Sequence, residues 1–409
     1  MYALQKDLRY LVAVSFGPDS MALLHMLLQE HLEVIVCHVN YHKRKESEEE
    51  EARLRKFCEE HHLPLFVLRA PNPPKQVNFQ AWARDVRYRF FASTYQKYHA
   101  DALLVAHHLD DDLETYFMQR RQNKILSYYG LRYERMLYGM RVLRPLLDMR
   151  KHELQDYCMQ HQVPYAIDSS NLTDDYERNR IRHHILEKAS LDDISQWKKE
   201  KEQWNALRTQ QLQNIQHVFY DKTIHIPLFL KLNEEEQLLC LHQFITRVLF
   251  EYTLSRDKAM MMIQAAQSPK PNWRMKLIAP YEIVKAYHVL YLHDSTLQMP
   301  YHYVLLRPDV LDTPYFTLDF RKDTSNRNID LHDYPITIRP YQKGDKMEIG
   351  NVLKSINRQY IDWKMPQDIR TIWPVFINKE GKIVYVPRYR DSFRKEKETN
   401  LVVKCKLGI

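Results

Sequence analysis

Seven glycines in 409 residues is a low count, since glycine usage averages roughly 7%. Those that remain, Gly17, Gly130, Gly139, Gly344, Gly350, Gly381 and Gly408, therefore mark positions worth reading individually. The five cysteines (Cys37, Cys58, Cys158, Cys240, Cys405) are scattered, with no C-x-x-C pair. That argues against a zinc ribbon or an iron–sulfur site and fits a reducing compartment. No apolar run reaches the roughly 20 residues of a membrane span, so no membrane partner is expected. Lys6, Asp7 and Arg9 interrupt the N-terminus before a signal-peptide core forms. The expected location is the cytoplasm.

What is present is ample apolar content, 44% of 409 residues, enough for two or three domains with real cores. Net charge is +8, which suits a polyanionic partner. Near the N-terminus the apolar run Tyr10 to Val14 reads as a buried parallel strand. It breaks at Ser15-Phe16-Gly17-Pro18-Asp19-Ser20, and a helical pattern starts at Met21. Strand, polar turn and helix aim backbone N–H groups and a helix N-terminus at an anion. Ser15 and Ser20 add hydroxyl donors, while Asp19 suits orienting the turn or a metal. The alternative is an ordinary turn with Asp19 or Ser20 as N-cap. No Gly-Lys-Ser/Thr follows, so this is not a Walker loop.

Strands and helices then alternate. Strands are expected at 31–40, 65–68 and 102–106, with helices at 43–58 and 80–98, which implies a parallel sheet covered on both faces. Ligands bind at the carboxyl ends of such strands. Polar clusters fall at three of those ends: the 15–20 loop, His38-Val39-Asn40, and His107 to Glu114. In the last, Asp110 or Asp111 shares a helical face with Glu114. Such carboxylates hold Mg²⁺ or recognise an ammonium group; the alternative is capping of a helix start. His107 and His108 lack partners at zinc spacing and are read as hydrogen-bonding groups. Arg178, Arg180 and Arg182 form a basic segment, read as an RNA contact beside a nucleotide site. Residues 192–219 and 238–250 are helical patterns, 273–292 reads as a hairpin, and the last hundred residues turn strand-like. The divisions are 1–190, 191–300 and 301–409.

The 15–20 loop resembles the S-G-G-x-D-S pyrophosphate loop of the N-type PP-loop ATP pyrophosphatases, with Phe16 where that family has its first glycine. Further elements follow in order: His-Val-Asn after the second strand, A-R-x-x-R-Y at 83–88, H-H-x-D-D-x-x-E-T at 107–115, R-P-L-L at 144–147, and D-x-S-N…R-N-x-I-R at 168–182. Together they resemble the tRNA(Ile)-lysidine synthetases, a bacterial branch of the PP-loop group. The resemblance implies an α/β N-terminal domain with a parallel sheet and helices on both faces, a mainly helical middle domain, and an α+β C-terminal domain that grips tRNA. It implies ATP and Mg²⁺, and as substrates L-lysine and tRNA(Ile) with a CAU anticodon. Oligomeric state stays open, a homodimer included. By position, Ser15, Phe16, Gly17, Pro18, Asp19, Ser20, His38 and Asn40 would bind nucleotide. Asp110, Asp111 and Glu114 would serve the chemistry, with Asp111 on Mg²⁺. Arg84, Arg87, Arg178, Asn179 and Arg182 would meet RNA. The segment 119–130 departs from the glycine-rich form common in that branch. A tRNA thiolase on the same fold and a non-catalytic RNA-binding protein are the competing readings.

Overall fold

The computed structural model describes the chain except for residues 1, 3, 43–45, 75–76, 123, 167–176, 221, 251, 298–299, 320–328, 351, 388–401 and 406–409. The Asp168, Ser169, Ser170 and Asn171 motif lies outside the described residues. Two compact units divide at Thr209/Gln210.

The first unit is a six-stranded sheet. In chain order it runs β1 (Arg9–Ala13), α1 (Pro18–Gln29), β2 (Glu33–Asn40), α2 (Glu46–Glu60), β3 (Leu65–Arg69), α3 (Phe79–Lys97), β4 (Ala102–Val105), α4 (Leu109–Arg121), β5 (Glu134–Leu137), β6 (Met140–Leu143), α5 (Lys151–Gln160) and α6 (Glu177–Ile181). A π-helical turn, Arg182–Leu186, follows, and then α7 (Leu191–Asn214). Spatial order is β3-β2-β1-β4-β6-β5. All neighbours pair in parallel except the β5–β6 hairpin. The chain winds outward from β1 to β3, then returns to lay β4 on the other side of β1. That reversal opens a crevice at the carboxyl ends of β1 and β4.

Alternation along β1 explains the two-faced core. Tyr10, Val12 and Val14 face one side with Met21, Leu24 and Leu54 of α1 and α2. Leu11 faces the other with Tyr88 and Phe91 of α3 and the hairpin residues Leu137 and Met140. Residues buried on both faces read as one continuous apolar run, which is why the strand stood out in the sequence.

The second unit combines helices with antiparallel sheets. Helix Glu234–Thr246 starts at a reciprocal cap: Glu236 N–H donates to Asn233 Oδ1 at 2.9 Å and Asn233 N–H to Glu236 Oε2 at 3.2 Å. Helix Arg256–Gln267 follows, and strands Asn272–Ile278, Tyr281–Ala286 and Val289–Asp294 form a meander within a five-stranded sheet. Nearer the C-terminus a four-stranded sheet packs Ile336, Ile338 and Phe376 against Ile356 and Tyr360 of helix Ile356–Asp362. No helix among the described residues is long and apolar enough to cross a membrane.

Candidate active site

At the β1–β4 crevice lies a cavity of about 280 Å³. Ser15, Asp19 and Ser20 line it, with His107 from the β4–α4 connection, Asp111 from the first turn of α4, and Arg84 and Arg87 from α3. The loop is held by its own hydroxyls. Ser15 N–H donates to Ser20 Oγ at 3.2 Å, and Ser20 Oγ donates to the Gly17 carbonyl at 3.0 Å. Pro18 occupies the first turn of α1, where its missing N–H costs nothing. Phe16 has a φ of 67°, the left-handed region that favours glycine. Its ring turns away from the cavity into the core with Val14 and Met21, and the Arg53 guanidinium sits 5.1 Å from its centroid. A side chain at this position therefore does not narrow the site. Gly17 is extended at φ −77° and needs no glycine freedom.

His38 and Asn40 stand behind the cavity. His38 Nδ1 donates to the Val14 carbonyl at 2.8 Å and so fixes the start of the loop; burial lowers its pKa and keeps it neutral. Asn40 Nδ2 donates to Glu51 at 3.0 Å and to Glu48 at 3.2 Å, tying β2 to α2. Their neighbours Val39 and Tyr41 line the cavity instead.

The acids at the start of α4 separate by direction. Asp110 accepts from Arg150 Nε at 2.9 Å and from the Lys151 N–H at 2.7 Å, which pins the N-terminus of α5. Asp112 pairs with Lys201 of α7 and accepts the Leu131 N–H at 2.6 Å. Asp111 faces the cavity. Its carboxylate also accepts the His108 N–H at 3.2 Å, so it caps α4 as well. Burial would raise its pKa, but His108, His107, Arg178 and Arg182 outweigh that and hold it ionised below the usual range. Glu114 sits behind Asp111 with Arg182 Nε at 2.6 Å on one oxygen and Arg178 Nε at 3.1 Å from the other. His108 Nε2 lies 3.4 Å from Asp111 and 3.7 Å from Asp19.

Of the arginines expected to meet RNA, Arg84 and Arg87 line the cavity and Arg178 is exposed. Arg182 and Asn179 are buried, and Arg182 spends its guanidinium on Glu114 and Asp111. Sequence spacing could not show that inward turn. Gly130 has a left-handed φ of 76°, and a Cβ there would come within 2.2 Å of Asp112 Oδ1. The residue is glycine because the 119–130 segment closes directly on α4. Cys37 and Cys58 are buried, which pushes their thiols up to about 12; neither supplies a thiolate.

The donor set suits Mg²⁺. Asp19 Oδ1 is buried with no hydrogen-bond partner, and Asp19 and Asp111 line one cavity. Mg²⁺ is typically held by one or two carboxylates together with substrate phosphates.

The PP-loop domain family model matches residues 1–189. A tRNA(Ile)-lysidine synthase from Mycoplasma mycoides subsp. mycoides SC is 29% identical over 405 residues, covering 94% of this chain and 98% of that protein. Over nearly its whole length the chain is thus similar to a tRNA(Ile)-lysidine synthase, with a PP-loop domain at its N-terminus. A second tRNA(Ile)-lysidine synthase, from Ureaplasma parvum serovar 3, is 42% identical over 197 residues, 47% of this chain and 58% of that protein. The solved U34-tRNA thiolase of Methanococcus maripaludis shares 15% identity, with a TM-score of 0.42 over 50% of this chain and 73% of that one.

Proposed function

We propose that this chain joins L-lysine to carbon 2 of the wobble cytidine of a tRNA(Ile) bearing a CAU anticodon, using ATP. The cytidine carbonyl oxygen attacks the α-phosphorus and pyrophosphate leaves. The ε-amine of lysine then adds at carbon 2, and AMP leaves with the oxygen. Neither step needs a covalent enzyme nucleophile. What carries this reading is that Ser15, Asp19 and Ser20 from the end of β1 and Asp111 from the start of α4 line one cavity, with Arg84 and Arg87 beside them.

Ser15, Ser20 and the N-terminus of α1 hold the departing pyrophosphate, because donors fixed in advance stabilise charge as it develops. Asp19 and Asp111 would hold Mg²⁺, which on binding neutralises phosphate charge. A carboxylate of the same cluster, Asp111 or Glu114, meets the lysine ammonium. Glu114 and Asp110 sit behind Asp111, one paired with Arg182 and the other with the start of α5. Arg84, Arg87 and Arg178 meet RNA phosphates, and residues 301–409 grip the tRNA body. The cytoplasm, where tRNA is modified, is the expected location.

The test is AMP formation from ATP, lysine and a CAU-anticodon transcript. Ser15→Ala and Asp19→Ala should abolish it while melting normally. Wild-type turnover in both would remove the loop from the reaction. Binding of tRNA should also weaken steeply with salt as counterions are released.

A further inference from the structure

His107 takes part in none of the steps above. The β1–β4 register ends with Ala13 paired to Val105, and just past these strand ends Ser15 and His107 line the same cavity. Arg144 Nε lies 3.1 Å from His107 Nδ1. A guanidinium has no lone pair to offer and only donates, so Nδ1 must accept. The proton of the neutral ring is then on Nε2, the nitrogen left for the cavity. Arg144 is itself buried and fixed, with Nη1 donating to the Arg132 carbonyl at 2.8 Å and its backbone N–H to the Tyr133 carbonyl at 2.9 Å.

We propose that His107 is a fixed neutral donor, through Nε2–H, to a phosphate oxygen of ATP, and that Arg144 is the positioning residue that sets this tautomer. The inference rests on reading the cavity as an ATP site. The lone pair needed by a general base faces Arg144, so His107 cannot serve as one. Its surroundings keep it neutral. Burial pushes its pKa down to about 4, aided by Arg144, Arg178 of α6 and Arg87 of α3 and opposed by Asp111 of α4.

The experiment uses the full chain labelled with nitrogen-15, with His107 resonances assigned against His107→Gln. His107 should show an unprotonated Nδ1 and a protonated Nε2. Calorimetry of ATP binding without tRNA or lysine then reads the contact. His107→Ala should weaken binding about tenfold or more, the loss expected for a hydrogen bond to a charged group. His107→Gln, whose amide keeps an N–H near the Nε2 position, should restore most of it. A proton on Nδ1, or unchanged ATP affinity in His107→Ala, would overturn the proposal. Because neither readout contains tRNA or lysine, failure of the ligase reading would leave both results standing.

Discussion

The two sides of the α4 N-terminus differ in what they do with the same residue type. Asp110 and Asp112 point away from the cavity and are consumed by structure, one by Arg150 and the start of α5, the other by Lys201 and the Leu131 N–H. Asp111, between them in sequence, faces the cavity where Asp19 has an unpartnered oxygen. The difference follows from helix geometry, since successive side chains sit about 100° apart on a 3.6-residue turn. An acidic run at a helix start is therefore several devices, and only the residue on the crevice side faces the cavity.

The sharpest way to break this comparison is a pair of isosteric changes. Asp111→Asn keeps an oxygen for the His108 N–H and loses the charge. AMP formation per folded molecule should fall about 10²–10³-fold, the cost of losing a preorganised charge at a reacting centre. Asp110→Asn should do the reverse. Breaking a buried ion pair costs about 3 kcal/mol, so melting should drop several degrees while turnover per folded molecule stays near wild type. Equal activity losses in both would erase the distinction between the two sides.

Glu51 extends the comparison to a carboxylate that does not line the cavity. Burial would raise its pKa, but hydrogen bonds from Asn40, Arg55 and Arg69 hold it at about 2, below the ordinary 4.5. A depressed folded pKa contributes stability that is present above the unfolded value and is lost as pH falls through the folded one. Glu51→Gln should therefore be less stable than wild type at pH 7. Its gap from wild type should narrow between pH 4.5 and 2 in denaturant titrations. A constant gap across that range would contradict the pairing. Smaller still, Gly130→Ala meets Asp112 Oδ1 and a left-handed φ of 76°, and should lose about 2 kcal/mol. Wild-type stability there would mean the 119–130 segment does not close on α4 as described.

Much of the first unit was legible because its signals are local. The apolar run from Tyr10, the polar break at Ser15–Ser20 and the strand ends at His38 and His107 place β1, β2, β4 and the crevice within a residue or two of where they lie. The hidden part consists of contacts whose second partner is distant in sequence. Asp110 looked equivalent to Asp111 until α5, 40 residues on, supplied Arg150. Arg182 was read as an RNA contact, yet its partners on α4 lie 68 and 71 residues away and turn it inward. Arg144 was visible only as part of R-P-L-L; its bond to His107 needs β6 to lie beside β4. Helix Arg256–Gln267 was passed over, although it buries Ala259, Met262, Ile263, Ala265 and Ala266.

The central claim is two-step ligation through an adenylated tRNA. The direct test incubates the full chain with ATP labelled at the α-phosphate and a CAU-anticodon transcript, first without lysine and then with it. Without lysine, label should appear on the tRNA as pyrophosphate is released. Adding lysine should discharge that label as AMP, and the wobble nucleotide should gain the mass of one lysine less one water. Release of AMP that ignores lysine, or a wobble cytidine of unchanged mass after complete ATP turnover, would contradict the account.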